Sequence, residues 1–268
     1  MVTKKQFQSI IYFYYKKNKR DFPWRDIKNP YYVMVSEIML QQTQVQRGMQ
    51  KYEEFIATFP TLESLAKANL SDVLKVWQGL GYNRRGKYLK ETAEILVKRY
   101  GGVIPSDQTE LEKLPGIGHG TAGAIVAYGF DKPSIFVETN IRAVFLYFFF
   151  KDQEVVSDTM LMPYVIEMMD EKSPRQWYYA LTDYGVMLKK KEKFTNIQSK
   201  SYQRQAPLKG SNREVRGAIL KSLTQKKTVK KSDLYDILIF DKERIAKALD
   251  SLKGDGMMVE EEECYKIA

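Results

Sequence analysis

The stretch LEKLPGIGHGTAGAIVAYG at residues 111–129 constrains the fold of this chain more than any other sequence feature. It predicts two short helices joined by a Pro-Gly-Ile-Gly turn, in which Gly116 and Gly118 can adopt backbone angles closed to other residues. Thr109 and Glu112 match a capping box for the first helix. Such a turn directs several unpaired backbone N–H groups outward at a helix N-terminus, where phosphate groups bind. We therefore expect an anion-binding hairpin, with an ordinary helix–turn–helix corner as the alternative.

The charge of the chain favours a polyanionic partner. Its 268 residues include 43 Lys and Arg against 33 Asp and Glu, a formal net charge of +10 at pH 7. No apolar run approaches the roughly 20 residues that span a bilayer, and no lipid-anchor pattern is present, so we expect a soluble protein without membrane binding. The basic and aromatic N-terminus predicts an amphipathic helix rather than a signal peptide. A cytoplasmic location is therefore expected, associated with the nucleoid if the source is prokaryotic.

Two glutamates stand in apolar surroundings and are candidates for catalysis. A single cysteine, Cys264, and a single histidine, His119, exclude a disulfide framework and a Cys/His metal site, so chemistry must come from other side chains. Burial of Glu37 in an apolar helix would raise its pKa and keep the proton that a general acid needs. With Glu138, it would suit hydrolysis of a glycosidic bond through an oxocarbenium-like centre. The alternatives are a structural carboxylate for Glu37 and a helix cap for Glu138.

Polar and aromatic residues elsewhere fit a nucleic-acid surface. Gln41 and Gln42 follow the first glutamate without a turn, and amides suit the reading of base edges or the filling of a gap in a base stack. Tyr82 and Arg84 combine a stackable ring with a phosphate-binding charge. Solvated surface residues are the alternative for all four. Trp24 and Arg25 in the N-terminal loop are candidates for lining a pocket. The alternative for Trp24 is burial in the hydrophobic core, which is more common for tryptophan.

Changes in composition divide the chain into three parts. Residues 1–188 carry helical periodicity throughout, which predicts an all-helical domain. Residues 189–210 form a basic linker or tail. Residues 211–268 predict three helices and a glycine-turned hairpin, typical of a small α+β module of the winged-helix type. DNA binding and protein docking are equal alternatives for this module, because the glutamates at residues 260–263 would repel phosphate.

Four motifs occur in the order and approximate spacing of a known superfamily. They are SEIMLQQTQV, GLGYNRRGKYL, LPGIGHGTAGAI and VETNIRAV, and together they cover about residues 8–188. The chain resembles the helix–hairpin–helix DNA glycosylases, and within them the MutY family of adenine-specific mismatch glycosylases. The resemblance implies a mainly helical domain of two lobes, and LQQTQV with GLGY favours this family over the endonuclease III and thymine-mismatch branches.

The resemblance also implies a set of roles. Glu37 would protonate an extruded base, Glu138 would support the sugar cation, and Gln41 or Gln42 would enter the duplex where the base has left. The DNA backbone would be held at the hairpin, by Gly116, Gly118, His119, Gly120 and Thr121. The extruded base would lie in a pocket formed by Trp24, Arg25, Asn140 and Tyr179.

This similarity predicts a monofunctional, metal-independent enzyme of base excision repair, acting as a monomer on double-stranded DNA that contains a mismatch or lesion. Adenine opposite guanine or 8-oxoguanine is the leading substrate, and thymine or uracil opposite guanine is the alternative. A non-catalytic DNA-binding protein that retains the fold is an alternative of a different class.

Several positions depart from the pattern of the family. Glu138 replaces an aspartate, which moves the carboxylate by more than an ångström and could reduce the rate. Gly120 stands where strand-cleaving relatives have a lysine and MutY-type enzymes have a serine or tyrosine, which argues for a hydrolase without a Schiff base. Tyr179 stands where a base-reading glutamine is expected. A winged-helix-like unit replaces the usual C-terminal domain that recognises the opposite base.

The iron–sulfur cluster common in this family is not expected. Its four cysteine positions fall at about Lys189, Asn196, Ser199 and Gln205, none of which is a cysteine. A basic segment is expected to replace the DNA-binding surface of the cluster. No other cofactor is expected, although a monovalent or divalent cation at the hairpin is compatible with the sequence.

Overall fold

The computed structural model describes residues 2–25, 27–203 and 206–268, and over these ranges the chain is mainly helical with a small sheet near its C-terminus. No helix in these ranges is long and apolar enough to cross a membrane. The helices are α1 (Lys4–Asn18), α2 (Pro30–Leu40), α3 (Val45–Thr58), α4 (Leu62–Lys67), α5 (Leu70–Trp77), α6 (Arg84–Tyr100), α7 (Gln108–Glu112), α8 (His119–Phe130), α9 (Thr139–Phe149), α10 (Asp158–Met168), α11 (Pro174–Lys191), α12 (Asn212–Lys226), α13 (Lys231–Ile237) and α14 (Lys242–Gly254). The strands are β1 (Thr228–Lys230), β2 (Met258–Glu261) and β3 (Cys264–Ile267).

The chain forms two compact units, each assembled from separate segments. The first comprises Met1–Glu37, Pro105–Lys113 and Ile117–Arg204, and the second comprises Ile38–Ile104, Leu114–Gly116 and Gln205–Ala268. Segments of the two units therefore alternate along the sequence. The predicted boundaries at 188 and 210, in contrast, divide the chain into domains that are each one continuous segment. Those boundaries stay a prediction.

The core of the first unit lies where α1, α8, α9 and α11 pack together. On α1, the buried residues Phe7, Ile11 and Tyr15 are spaced four apart and form one apolar face. Helices α9 and α11 approach closely at Gly185, where a Cβ atom would collide with the backbone carbonyl of Asn140. This contact fixes the N-terminal turn of α9 against α11.

The core of the second unit joins α5 to the C-terminal helices. Leu70 and Leu74 of α5 pack in one buried cluster with residues of α12 and α14, including Ile219 and Leu252. The sheet has the order β1-β3-β2, with both pairs antiparallel. The sequence analysis missed β1, because three residues between two helices are too short to show an alternating pattern.

Candidate active site and nucleic-acid interface

Glu37 occupies α2 among apolar neighbours. Val35 and Ile38 beside it are fully buried, while the Glu37 side chain retains partial access to solvent. Loss of hydration, and secondarily the negative charge of Glu138, raise the pKa of Glu37 to about 8, against the opposing charge of Arg25. Glu37 therefore holds a proton at neutral pH, which is the condition for a general acid.

Glu138 is the N-cap residue of α9. Its Oε1 accepts a hydrogen bond from the Ile141 backbone N–H at 3.0 Å, and its Oε2 accepts one from Asn140 Nδ2 at 3.1 Å. Lys189 Nζ donates to Asn140 Oδ1 at 2.9 Å, so α11 steadies the amide that holds the carboxylate. Glu138 therefore caps α9 and also lies close enough to Glu37 for its negative charge to raise the pKa of Glu37.

Arg25 and two tyrosines lie near Glu37. The Arg25 guanidinium is 4.5 Å from the centre of the Tyr179 ring, and Tyr179 stacks on Tyr128 with 4.4 Å between ring centres. Burial, followed by the charge of Glu37, raises the pKa of Tyr128 well above its ordinary value, so its hydroxyl keeps its proton. The structure thus brings Arg25 and Tyr179 together beside the proposed acid, while their contact with a base stays a prediction.

Asp183 anchors this cluster and was missed in the sequence analysis. Its carboxylate accepts two hydrogen bonds from Arg25, at 2.7 and 2.8 Å, and a third from Arg20 Nε at 2.6 Å. Burial acts to raise the pKa of Asp183, but these hydrogen bonds and charges outweigh it and lower the pKa. The sequence contained one signal for this residue: Asp183 follows the predicted pocket residue Tyr179 by four positions, which places both on the same face of a helix.

Trp24 and Asn140 have different surroundings from one another. Trp24 is 5% exposed and stacks on Phe22 with 5.2 Å between ring centres, which makes it a core residue of the first unit. Asn140 is half-buried and is occupied by Glu138 and Lys189. Whether either residue contacts a base stays a prediction.

The N-cap of the first hairpin helix lies two residues before the predicted cap. The prediction of Thr109 as N-cap was wrong: Asp107 caps α7 by accepting a hydrogen bond from the Glu110 N–H at 3.0 Å. Thr109 instead donates its hydroxyl hydrogen to Asp107 at 2.6 Å. Because Asp107 caps the helix two residues upstream, Thr109 lies in the first turn and does not act as its cap.

The hairpin glycines serve different purposes. Gly116 has φ +73°, and a Cβ there would lie 2.9 Å from Tyr88 Cβ, so glycine is required. The expectation of an unusual backbone angle at Gly118 was wrong, because Gly118 has φ −91° and acts as the N-cap of α8. Gly120 borders open space, with no atom within 4 Å of a Cβ built on it.

His119 begins α8 and is exposed. Its Nδ1 lies 2.8 Å from a carboxylate oxygen of Glu112 and 3.2 Å from the side-chain amide of Gln108. Thr121 follows in the first turn of the same helix. Both residues stand where a phosphate could approach the helix N-terminus, and their contact with DNA stays a prediction.

Two loops of the second unit carry the other predicted contacts, and Arg85 holds them together. Its guanidinium donates to backbone carbonyls of Ile38 and Met39 at the end of α2, and of Gly81 in the loop before α6. Burial lowers the pKa of Arg85 to about 10 despite the opposing influence of Tyr82. Arg85 is therefore a buried clamp rather than a phosphate contact.

Gln42 and Tyr82 lie at the tips of these loops. Both have positive φ angles, 53° and 48°, which are unusual for residues with side chains and are imposed by the tight loops. They line one groove with Gln41, Asn83 and Arg84, and Arg84 forms a 2.6 Å ion pair with Asp255 in the C-terminal region. The predicted DNA contacts of this unit are thus grouped on one surface.

A protein-family model matches the part of the chain that carries this geometry. Residues 35–161, which include both glutamates, the two loops and the hairpin, match the model of the HhH-GPD superfamily base excision DNA repair proteins. Over these residues the chain is similar to the HhH-GPD superfamily.

The chain is also similar to individual adenine DNA glycosylases. The chain is 40% identical over 149 residues to an adenine DNA glycosylase of Buchnera aphidicola subsp. Baizongia pistaciae, an alignment that covers 56% of this chain and 42% of the relative. It is also 40% identical over 147 residues to adenine DNA glycosylase of Mus musculus, covering 52% of this chain and 28% of the relative. The chain thus spans less than half the length of these curated relatives. A solved structure of a thermostable thymine-DNA glycosylase shares the fold, with a TM-score of 0.64 and 24% identity over 73% of this chain and 96% of that one.

The last turn of α11 and the segment after it do not fit the iron–sulfur cluster that the HhH-GPD resemblance suggests. Lys189 bonds to Asn140, the Asn196 amide donates to the Thr139 carbonyl at 2.7 Å, and Ser199 pairs with Val156 in a backbone bridge. The fourth position, Gln205, lies outside the described residues. These side chains are engaged with the protein and offer no thiolate, which is the ligand that such clusters require.

Proposed function

We propose that this HhH-GPD protein is a DNA glycosylase that hydrolyses the N-glycosidic bond of a mispaired adenine in double-stranded DNA. The observation that carries the proposal is the pKa of Glu37, raised to about 8 by burial and by the neighbouring Glu138. A protonated carboxyl beside a fixed carboxylate is the pair that cleavage of a glycosidic bond requires. The relatives named above are adenine DNA glycosylases, which supports adenine as the base.

The reaction follows from this pair. Glu37 gives its proton to the extruded base, and the bond between base and sugar then breaks with its electron pair passing to the base. The carboxylate of Glu138, held by Ile141 N–H and Asn140, stabilises the positive sugar carbon. A water molecule adds to that carbon and releases a proton, which leaves a free base and an abasic site.

The protein is proposed to stop at the abasic site. Gly120 offers no amine that could form a Schiff base with the sugar, and this supports a monofunctional enzyme. Adenine opposite guanine or 8-oxoguanine is the proposed pair, and the hairpin with Gly116, Gly118 and His119 is the proposed grip on the DNA backbone. A cation at the hairpin is compatible with this arrangement.

Further parts of the proposal concern the whole molecule. It is proposed to act as a monomer in the compartment that holds the DNA, without an iron–sulfur cluster. The C-terminal region is proposed to be a winged-helix module, which the element order α12, β1, α13, α14, β2, β3 supports.

A panel of duplexes tests the function. Each duplex carries adenine, thymine or uracil opposite guanine, or adenine opposite 8-oxoguanine, and is treated with alkali after incubation with the wild-type protein or Glu37→Gln. We expect alkali-dependent cleavage at adenine by the wild type and none by the variant. Cleavage only at thymine or uracil would overturn the substrate, cleavage without alkali would overturn the monofunctional assignment, and no cleavage on any duplex would favour a non-catalytic DNA-binding protein.

A further inference from the structure

The groove in the second unit has walls from two distant parts of the sequence. Gln42 and Tyr82 of the loops line one side, while Arg213 and Arg216 of α12 line the other. Its volume is about 480 Å³, within the roughly 300–1,000 Å³ of typical small-ligand sites. The groove is therefore large enough for one nucleotide.

Arg213 makes the closest contact across the groove. Its Nη1 donates a hydrogen bond to the Tyr82 hydroxyl, and its guanidinium carbon lies 4.5 Å from the centre of the Tyr82 ring. Its Nη2 donates to the Ala206 carbonyl at 3.0 Å. Among the described residues, no carboxylate forms an ion pair that neutralises the positive charge of Arg213.

The rest of the groove adds to this excess of positive charge. Arg84 and Arg216 share a single carboxylate, that of Asp255, at 2.6 and 2.5 Å. Arg213 and Arg85 also line the groove, so four arginines in all contribute positive charge there. Arginines around a half-buried aromatic ring, here that of Tyr82, with amide side chains beside it, are a combination that binds a nucleic-acid strand through phosphate charge and base stacking.

We propose, on the basis of the function proposed above, that this groove binds one nucleotide of the DNA, with its phosphate at Arg213 and its base beside Tyr82. The C-terminal module thereby forms part of the DNA-binding surface through α12. This assigns the module a role in gripping DNA at the same loops that carry Gln41 and Gln42, rather than a role in docking another protein.

The test measures affinity for a duplex with one adenine–guanine mismatch by fluorescence anisotropy, using the full-length chain with Glu37→Gln so that the DNA stays intact. We expect Arg213→Ala to weaken binding by about tenfold and to reduce the slope of log affinity against log salt by about one, as for one lost phosphate contact. Arg213→Lys should restore the slope. Tyr82→Ala should weaken binding by about tenfold without changing the slope, because stacking carries no charge.

Arg244→Ala is the matched control, since Arg244 is on α14 of the same module, packs over Phe240 and does not line the groove. The slope of log affinity against log salt for Arg244→Ala should equal that of the Glu37→Gln protein that retains all its arginines. An unchanged slope in Arg213→Ala, with or without a lower melting temperature, would overturn the proposal and leave Arg213 a structural brace. If Arg213→Ala and Arg244→Ala both lowered the salt slope by the same amount, the proposal would also be overturned, because the arginines would then act through general electrostatic attraction. Binding is read without excision, so failure of the glycosylase function leaves this test decisive.

Discussion

At the scale of single residues, Glu37 and Glu138 differ in their surroundings, and this difference supports their separate roles. Burial, followed by the negative charge of Glu138, raises the pKa of Glu37 to about 8. Glu138 caps α9 and accepts hydrogen bonds from Ile141 N–H and Asn140. One group is thus a proton donor and the other a fixed carboxylate.

The raised pKa of Glu37 has a consequence for stability. Between its unfolded value near 4.5 and its folded value of about 8, the folded state binds more protons, so stability falls as the pH rises across this interval. Glu37→Gln removes this pH dependence. The free energy of unfolding of the variant, relative to that of the wild type, should therefore rise by up to about 1.4 kcal/mol per pH unit across the interval. Melting temperatures at pH 5 and pH 8 measure this. Glu53→Gln, on the exposed face of α3, is the control, and an advantage of Glu37→Gln that stays constant with pH would contradict the raised pKa.

At the scale of helices, the sequence predicted the elements well and their contacts less well. The helical structure of regions with clear periodicity, such as α3 and α5, was predicted, because apolar spacing and proline or serine breaks define such helices locally. The Glu138 cap was also foreseen as an alternative. The contact between Arg25 and Asp183 was not, because it joins residues 158 positions apart whose meeting depends on packing.

The turn between α8 and α9 is held by α11, and this makes Lys189 a positioning residue. Lys189 bonds to Asn140, which in turn holds Glu138. We expect Lys189→Met to lower the single-turnover excision rate by on the order of tenfold, because the carboxylate loses its fixed position. Lys190→Met, at the next and exposed position, removes the same charge without this contact.

Single-turnover kinetics with saturating enzyme separate these effects from DNA binding. The rate of Lys190→Met should equal that of the wild type, and Lys189→Arg should retain part of the lost rate. If Lys189→Met cleaved as fast as Lys190→Met, the positioning role would be wrong.

At the scale of the molecule, the sequence predicted a large helical part and a small C-terminal part, but not that the latter shares a core with α5. Leu70 and Leu74 belong to one buried cluster with residues of α12 and α14. Sequence patterns report which face of a helix is apolar, and they do not report which distant helix covers it. The join between α5 and α12 therefore required the structure.

This shared core predicts that the second unit unfolds as one. Ile219 of α12 is fully buried in the cluster, and Ile219→Ala should destabilise the unit by about 2–5 kcal/mol through the cavity it leaves. Hydrogen exchange followed by mass spectrometry should then show faster exchange in α5 as well as in α14. Lys221→Ala, exposed on the same helix, should leave both unchanged. Faster exchange confined to residues 206–268 would show that the module opens independently.

The most direct test of the proposed chemistry is the single-turnover rate of adenine excision as a function of pH, for the wild type, Glu37→Gln and Glu138→Gln. The wild-type rate should fall about tenfold per pH unit above about pH 8, because Glu37 loses its proton there. Glu37→Gln should show no excision above background. The residual activity of Glu138→Gln should decline at lower pH than that of the wild type, because removing its charge lowers the pKa of Glu37. A wild-type rate that stays level to pH 9.5, or a Glu37→Gln variant that excises adenine at the wild-type rate, would contradict the assignment of Glu37 as the general acid.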